Sequence, residues 1–194
     1  EGGSVDRWVI IEPVRQFAQD ALASGLPRLN VIQGYLENET DSTIKLIPNK
    51  PDLIICSSVL HEVPSSAKLM ESILPLMGAH TRLHVNVPNS QSMHRGLAIA
   101  MNLIVNSKEL SCRNLELMQH RVYDIESLKE EVSSFGLEIT GQGGYLFKPF
   151  THAQMEEIMP VLGQAVMNGL FEFGKQHPEL ASEIWIEAVL GVNE

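Results

Sequence analysis

The fold of this chain is decided by Asp52-Leu-Ile-Ile-Cys-Ser-Ser-Val-Leu-His-Glu-Val-Pro64, a short apolar run that stops abruptly at polar residues. A second run of this kind, Trp8-Val-Ile-Ile-Glu-Pro13, ends in the carboxylate of Glu12. Continuous apolar runs of this length are typical of strands buried on both faces. Ligands of open α/β sheets bind beyond the carboxyl ends of such strands, so the two runs predict a nucleotide-like cofactor site at one edge of a sheet.

The sequence around these two runs alternates between strand and helix patterns. Strands are predicted at 7–12, 29–33, 52–57 and 81–87, and helices at 14–24 and 64–77. Residues 36–50 are polar and contain Pro48, so we expect a loop there. The alternation predicts right-handed parallel crossovers and an α/β sheet.

Beyond residue 90 the pattern becomes mainly helical. We expect a helical insertion over about 90–124 (helices at 92–105 and 107–119), and Asp124 as the cap of a helix over 125–135. Strands at 137–141 and 144–148, joined through Gly141-Gln-Gly-Gly144, predict a hairpin. The pattern over 151–192 predicts helix, interrupted at Gly174 and at His177-Pro178.

Length, charge and cysteine content limit the class of protein. The 194 residues predict one domain with a helical appendage. A formal net charge of -10 argues against a nucleic-acid partner, because like charges repel. The apolar runs are shorter than the roughly 20 residues that span a bilayer, so no membrane partner is expected. Cysteine occurs only at Cys56 and Cys112, which predicts no disulfide scaffold and a cytoplasmic location.

Over residues 7–148 the motifs resemble, in order and spacing, those of class I S-adenosylmethionine-dependent methyltransferases. The matching features are Glu12 at a strand end, Gly34-Tyr-Leu-Glu37 after a short strand, the 52–63 run, and Phe135-Gly-Leu-Glu-Ile with Gly144-Tyr-Leu-Phe-Lys148. The resemblance implies an α/β, Rossmann-like, mainly parallel sheet with a C-terminal antiparallel hairpin and added helices that form a lid. The corresponding domain would cover 1–150, and a C-terminal helical segment would cover 151–194.

The resemblance also implies S-adenosylmethionine as the cofactor and assigns residues to it. Glu12 would accept hydrogen bonds from both ribose hydroxyls, since a carboxylate can engage two donors at once. Gly34, Tyr35 and Leu36 would line the adenine, and Ser57 and Ser58 would line the methionine side or the substrate entrance. As alternatives, these residues would be an ordinary strand end, loop and strand terminus.

The glycine-rich turn of the family is expected about twenty residues before Glu12. This chain starts only a few residues before that strand, so we expect either a fragment of a longer protein or a chain that lacks part of the cofactor cradle. Gly2-Gly3 is the candidate remnant of the turn.

A second set of polar residues lies in Pro88-Asn-Ser-Gln-Ser-Met-His-Arg95, in His120-Arg-Val-Tyr123 and at Lys148. Histidine can take a proton near neutral pH, and arginine can hold an anionic group with two hydrogen bonds. We therefore expect His94 or His120, with His61 as a third candidate, to be the base for an acceptor hydroxyl. The candidate substrate-binding residues are Asn89, Arg95, Arg121, Tyr123 and Lys148. The alternative is structural: His120 and Tyr123 would tie the cap of the 125–135 helix, and Arg95 would lie on a solvated helix face.

The predicted function is methyl transfer from S-adenosylmethionine to a small molecule, sugar-like or anionic, without a metal ion. Two other functions stay open. An NAD(P)-dependent oxidoreductase also has an acidic residue at the end of its second strand, although Tyr145 and Lys148 are one residue too close for a Tyr-x-x-x-Lys pair. A non-catalytic, methyltransferase-like partner subunit would use the apolar helices of 151–192 as a homodimer face.

Overall fold

The predicted α/β organisation is confirmed in the computed structural model, which describes residues 5–110 and 112–191. The strands are β1 (Trp8–Ile11), β2 (Leu29–Ile32), β3 (Leu53–Ser57), β4 (Arg82–Pro88), β5 (Leu137–Tyr145) and β6 (Glu183–Leu190). The helices are α1 (Arg15–Ala23), α2 (Leu36–Leu46), α3 (Ser66–Ile73), α4 (Met93–Ala100), α5 (Cys112–Glu116), α6 (Ile125–Ser133) and α7 (His152–Gln176). No helix of the described residues combines the length and apolar character needed to cross a bilayer.

The strands form two separately hydrogen-bonded sheets. β1 and β2 pair in parallel as a two-stranded sheet, and the other sheet has the strand order β3-β4-β6-β5. β3 and β4 are parallel, whereas β6 is antiparallel to both β4 and β5. The carboxyl ends of β3, β4 and β5 therefore lie at the same edge of the larger sheet as the first residue of β6.

One face of the larger sheet carries the core. Alternate residues of β6, Ile184, Ile186 and Ala188, are almost completely buried, as are Val85 and Val87 of β4. The helices α3 and α6 contribute to the same cluster with Leu69, Met70, Ile73, Leu128 and Val132. Since side chains alternate along a strand, the opposite face carries Glu183, Trp185 and Glu187.

The end of the chain differs from the sequence prediction. β5 is one continuous strand rather than a hairpin through Gly141–Gly144, and 183–190 is a strand rather than a helix. The sequence predicts turn residues at these glycines, but in the sheet they provide space: a Cβ on Gly143 would lie 2.8 Å from the Trp185 ring. The antiparallel pair at the end of the sheet is thus β5 with β6, and α7 connects them.

Residues 36–46, predicted as loop, form the helix α2. Its polar residues mostly face outward, while Leu36 and Thr43 are buried. The hydroxyls of Thr40 and Thr43 donate to the carbonyls of Leu36 and Glu39, each at 2.8 Å. These threonines therefore fit within a helix because the preceding turn satisfies their hydroxyls.

The remaining helix predictions are confirmed with changed ends. Asp124 caps α6 by accepting a hydrogen bond from the Ser127 N–H at 2.9 Å. α4 ends at Ala100, earlier than predicted. α7 ends before His177-Pro178 as predicted, yet it continues through Gly174 and is broken instead at Gly163, where φ is 75°.

Candidate functional site

Polar side chains collect at the carboxyl edge of the larger sheet. Ser57 ends β3, and Ser58 follows it with a φ of 54°, a conformation that is uncommon for a residue with a side chain. The Ser58 N–H donates to the Asn86 carbonyl at 2.9 Å, which fixes the turn to β4. Strained backbone of this kind persists where the surrounding structure holds it, and it is common at ligand sites.

Asn86 connects three elements at this edge. Its buried amide donates to the hydroxyl of Tyr145 on β5 at 3.1 Å, and to the hydroxyl of Ser58 at 3.4 Å. Glu183, at the start of β6, is paired in register with Tyr145. Asn86 thereby holds the Ser58 and Tyr145 hydroxyls beside the carboxyl group of Glu183.

The carboxyl group of Glu183 is the most perturbed acid at this edge. Its Oε2 is buried and has no hydrogen-bond partner among the described residues. Burial raises the pKa of Glu183 to about 7, and the Asn86 amide and the charge of Lys148 oppose that rise. Burial also lowers the pKa of Lys148, against the effect of Glu183. The carboxyl can therefore exchange a proton near neutral pH.

The backbone around residues 146–148 is fixed against α7. The Phe147 N–H donates to the Leu170 carbonyl, and the Ser182 N–H to the Leu146 carbonyl, each at 2.8 Å. Gly174 permits this approach, because a Cβ there would lie 2.4 Å from the Leu146 nitrogen. The helix thus holds the segment that carries Lys148 next to the sheet edge.

An aromatic groove of about 280 Å³ adjoins Tyr145. It is lined by Gln142, Gly143, Gly144, Tyr145, Phe171, Lys175 and Trp185. The rings of Tyr145 and Phe171 are 5.6 Å apart, and the Lys175 ammonium lies 5.0 Å from the centre of the Phe171 ring. Glu183 does not line the groove; Tyr145, which is paired in register with Glu183, connects the groove to the acid.

The predicted cofactor residues lie at two strand ends. Glu12 is half-buried directly after β1, its Oε1 accepts the Val14 N–H at 2.7 Å, and the Gly34 N–H donates to its carbonyl at 3.2 Å. Tyr35 is 54% exposed, whereas Leu36 is packed into the core. Glu12 and Gly34 are thus neighbours, while the two serines belong to the other sheet. Among the described residues, no glycine-rich turn follows β1 or β3.

The three predicted histidines occupy different surroundings. His94, in the first turn of α4, lies near Lys148 and Arg95, and burial together with these charges lowers its pKa to about 4. His61 is buried, which lowers its pKa, and its Nδ1 has no partner among the described residues. His120 is exposed, and its backbone N–H donates to the His61 carbonyl at 2.9 Å. Of the three, His94 is the one beside Lys148.

The other predicted substrate residues contact protein groups. The amide of Asn89 is buried and donates to the carbonyls of Ala181 at 2.9 Å and Glu179 at 3.1 Å. The guanidinium of Arg95 donates to the carbonyls of Glu109 and Ser107. Arg121 and Tyr123 both contact the carboxylate of Glu131, at 3.4 and 2.6 Å.

A cavity of about 460 Å³ lies away from this edge, at the amino ends of β1 and β2. Arg7, Arg28 and Lys45 line it, but Arg28 is paired with Asp6 at 2.9 Å and Arg7 donates to the Leu46 carbonyl. None of the predicted site residues lines it.

Three residues of the edge, Asn86, Tyr145 and Glu183, were not predicted as site residues. Asn86 lies near the end of a predicted strand, so its position was a usable signal. Glu183 could have been found from the alternation in Glu183-Ile-Trp-Ile-Glu187, which favours a strand over a helix.

No family model matches the chain, and no curated protein is similar to it in sequence. Solved structures are similar in fold. An S-adenosylmethionine-dependent methyltransferase from Mesorhizobium loti has a TM-score of 0.55 at 11% identity, covering 95% of this chain and 81% of that one. A possible histamine N-methyltransferase from Thermotoga maritima has a TM-score of 0.57 at 15% identity, covering 94% and 72%. The cyclase SpnF has a TM-score of 0.55 at 13% identity, covering 96% and 68%.

Because the sequence identities are low, these similarities concern the fold alone. They agree with the alternating strands and helices and with the antiparallel strand β6 that lies between β4 and β5. The chain has the Rossmann-like fold of the class I S-adenosylmethionine-dependent methyltransferases.

Proposed function

We propose that the chain binds S-adenosylmethionine and transfers its methyl group to a small-molecule acceptor. The observation that carries this proposal is the half-buried carboxylate of Glu12 at the end of β1, beside the backbone of Gly34. Its Oε1 accepts a backbone N–H, and its Oε2 has no partner among the described residues. A carboxylate with a free oxygen at a strand end suits a ribose diol.

The donor groups fit the nucleoside part of this cofactor. Glu12 would accept from the ribose hydroxyls, and Gly34 and the exposed ring of Tyr35 would border the adenine beside Leu36. A side chain at Gly34 would collide with Glu39, because its Cβ would lie 2.9 Å from the Glu39 Cγ. Ser57 and Ser58 would border the methionine part. The bound cofactor supplies an electrophilic methyl group, and the protein aligns the acceptor and excludes water.

The acceptor would lie at the carboxyl edge of the larger sheet. Lys148 is the predicted substrate residue that we assign to it, because its ammonium lies near Glu183 and can balance a developing negative charge. His94 would border the acceptor as a neutral ring, since its pKa of about 4 makes it a weak base at neutral pH.

Calorimetric titration with S-adenosylhomocysteine tests the proposal. We expect wild-type protein to bind it, and Glu12→Gln to weaken the affinity about tenfold or more, because hydrogen bonds to a charged group are lost. The matched control is Glu126→Gln on α6, an exposed carboxylate that pairs with Lys129. Its affinity should equal that of the wild type.

The same titration with NAD and NADP separates the alternatives. Heat with a nicotinamide cofactor and none with S-adenosylhomocysteine would favour an oxidoreductase. Heat with neither, from protein that unfolds cooperatively, would favour a non-catalytic subunit. Either result contradicts the proposal.

A further inference from the structure

The geometry points to Glu183 as the proton acceptor of the proposed reaction, and to a phenol, bound in the Tyr145–Phe171–Trp185 groove, as its methyl acceptor. The inference rests on the proposed function and adds to it a residue and a substrate class. Its starting point is the buried Oε2 of Glu183, which has no hydrogen-bond partner among the described residues although Tyr145 and Asn86 surround it. A buried oxygen without a donor is costly unless a ligand supplies one.

The groove specifies a flat ring. Tyr145 and Phe171 form one aromatic pair at 5.6 Å, and Trp185 packs over Gly143, where a side chain would collide with the indole ring. Tyr145 belongs both to this groove and to the Asn86–Glu183 cluster. A planar aromatic molecule could therefore stack in the groove and direct its hydroxyl toward Glu183.

The charges at the edge favour an acceptor oxygen that becomes negative. Facing Glu183 are Lys148 from the segment after β5, Tyr145 on β5 and Asn86 on β4, while Lys175 on α7 borders the groove and His94 on α4 lies beside Lys148. Lys148 would stabilise a phenolate and repel an ammonium acceptor. Lys175 is paired with Glu172 at 2.8 Å, so its charge contributes less.

The pKa of Glu183 limits how weakly acidic the acceptor hydroxyl can be. The Glu183 pKa is about 7, which lies about three units below that of a phenol such as tyrosine. An aliphatic alcohol is far less acidic, so a carboxylate would not deprotonate it at a useful rate. In the transfer, the phenol O–H bond breaks and its proton goes to Glu183. The oxygen then bonds the methyl carbon, and the electron pair of the methyl–sulfur bond returns to sulfur, leaving a thioether.

The experiment measures methyl transfer from radiolabelled S-adenosylmethionine to phenols and hydroxybenzoates, to cyclohexanols and to benzylamines. We expect transfer to phenols only. Glu183→Gln should lower the rate roughly 100-fold or more while S-adenosylhomocysteine still binds. Glu187→Gln, on the same strand and face, is the control and should keep the rate.

The pH dependence separates a proton acceptor from a structural residue. Glu183 accepts a proton only when ionised, so the wild-type kcat should fall as pH drops below about 7. Glu183→Gln should lose that limb, and Lys148→Met should move it to higher pH, because a charge that favours the carboxylate is removed. If Glu183→Gln does not fold, two other measurements test the inference. These are the acceptor panel, and the fall of kcat at low pH compared between the wild type and Lys148→Met.

Three results would overturn the inference. The first is transfer to amines or cyclohexanols instead of phenols, and the second is transfer to none of the panel. The third is a Glu183→Gln variant that keeps the wild-type rate or the wild-type fall of kcat at low pH. Each of these leaves the proposed function intact as long as S-adenosylhomocysteine binds. Absence of that binding removes the proposed function itself.

Discussion

At the residue scale, the site depends on side chains that meet across strands distant in sequence. The sequence predicts Ser57 and Ser58 as site residues because they follow an apolar run, where ligands bind, and it predicts Lys148 from its charge. Asn86 and Glu183 were not recognised, since their proximity depends on β6 pairing with β4. That pairing joins residues about a hundred positions apart, and local patterns do not encode it.

The unusual acidity of Glu183 predicts a pH-dependent stability difference. In the folded protein the carboxyl keeps its proton until about pH 7, whereas an unfolded chain loses it near 4.5. Between these values folding binds a proton, so the wild type loses stability as pH rises. Glu183→Gln should therefore gain melting temperature relative to the wild type between about pH 5 and 8, measured by differential scanning calorimetry. A difference that does not change with pH would contradict the buried position of the acid.

Asn89 should contribute mainly to stability. Its buried amide holds the carbonyls of Ala181 and Glu179, which precede β6. Asn89→Ala leaves these groups without a donor and should lower the free energy of unfolding by about 1–3 kcal/mol in urea titrations. If stability is unchanged while acceptor affinity falls, Asn89 binds substrate as the sequence predicted.

At the element scale, the main errors are two segments whose secondary structure was predicted wrongly from local sequence. Residues 36–46 are polar enough to resemble a loop, yet Leu36 and Thr43 give α2 a buried side. The glycines of β5 predict a turn locally, but in the sheet they leave space for Trp185. Both errors have one cause: the packing partner lies elsewhere in the chain, and it overrides the local preference.

The docking of α7 can be tested with two glycines of that helix. Gly174→Ala would drive a Cβ into the backbone of Leu146 and Phe147, and should cost about 1–3 kcal/mol of unfolding free energy. Gly169→Ala has open space around the new Cβ and should stabilise the protein by about 0.4–1 kcal/mol, since it restricts the unfolded chain. Urea unfolding measures both. Equal effects would show that α7 does not pack closely at Gly174.

At the scale of the whole molecule, the sequence predicts one mainly parallel sheet, whereas the strands of the described residues form two hydrogen-bonded sheets. The class of fold followed from alternating strands and helices, whereas the division into sheets depends on edges that only the assembled molecule defines. β1 and β3, whose carboxyl ends carry the proposed cofactor residues, belong to different sheets. A ligand that contacts both would join them.

Hydrogen exchange should reveal this joining. Without ligand, we expect the two-stranded sheet to exchange faster than the four-stranded sheet, because it has fewer strands and a smaller share of the core. S-adenosylhomocysteine should slow exchange in β1 and β3 together. Slowing confined to one sheet would contradict a shared site.

The most direct test is a crystal structure of the chain with S-adenosylhomocysteine. We expect the ribose hydroxyls to bind the carboxylate of Glu12, and the sulfur to lie between Ser57 and Ser58 on one side and Glu183 on the other. A ligand in the cavity at the amino ends of β1 and β2, or one whose ribose does not contact Glu12, would contradict it.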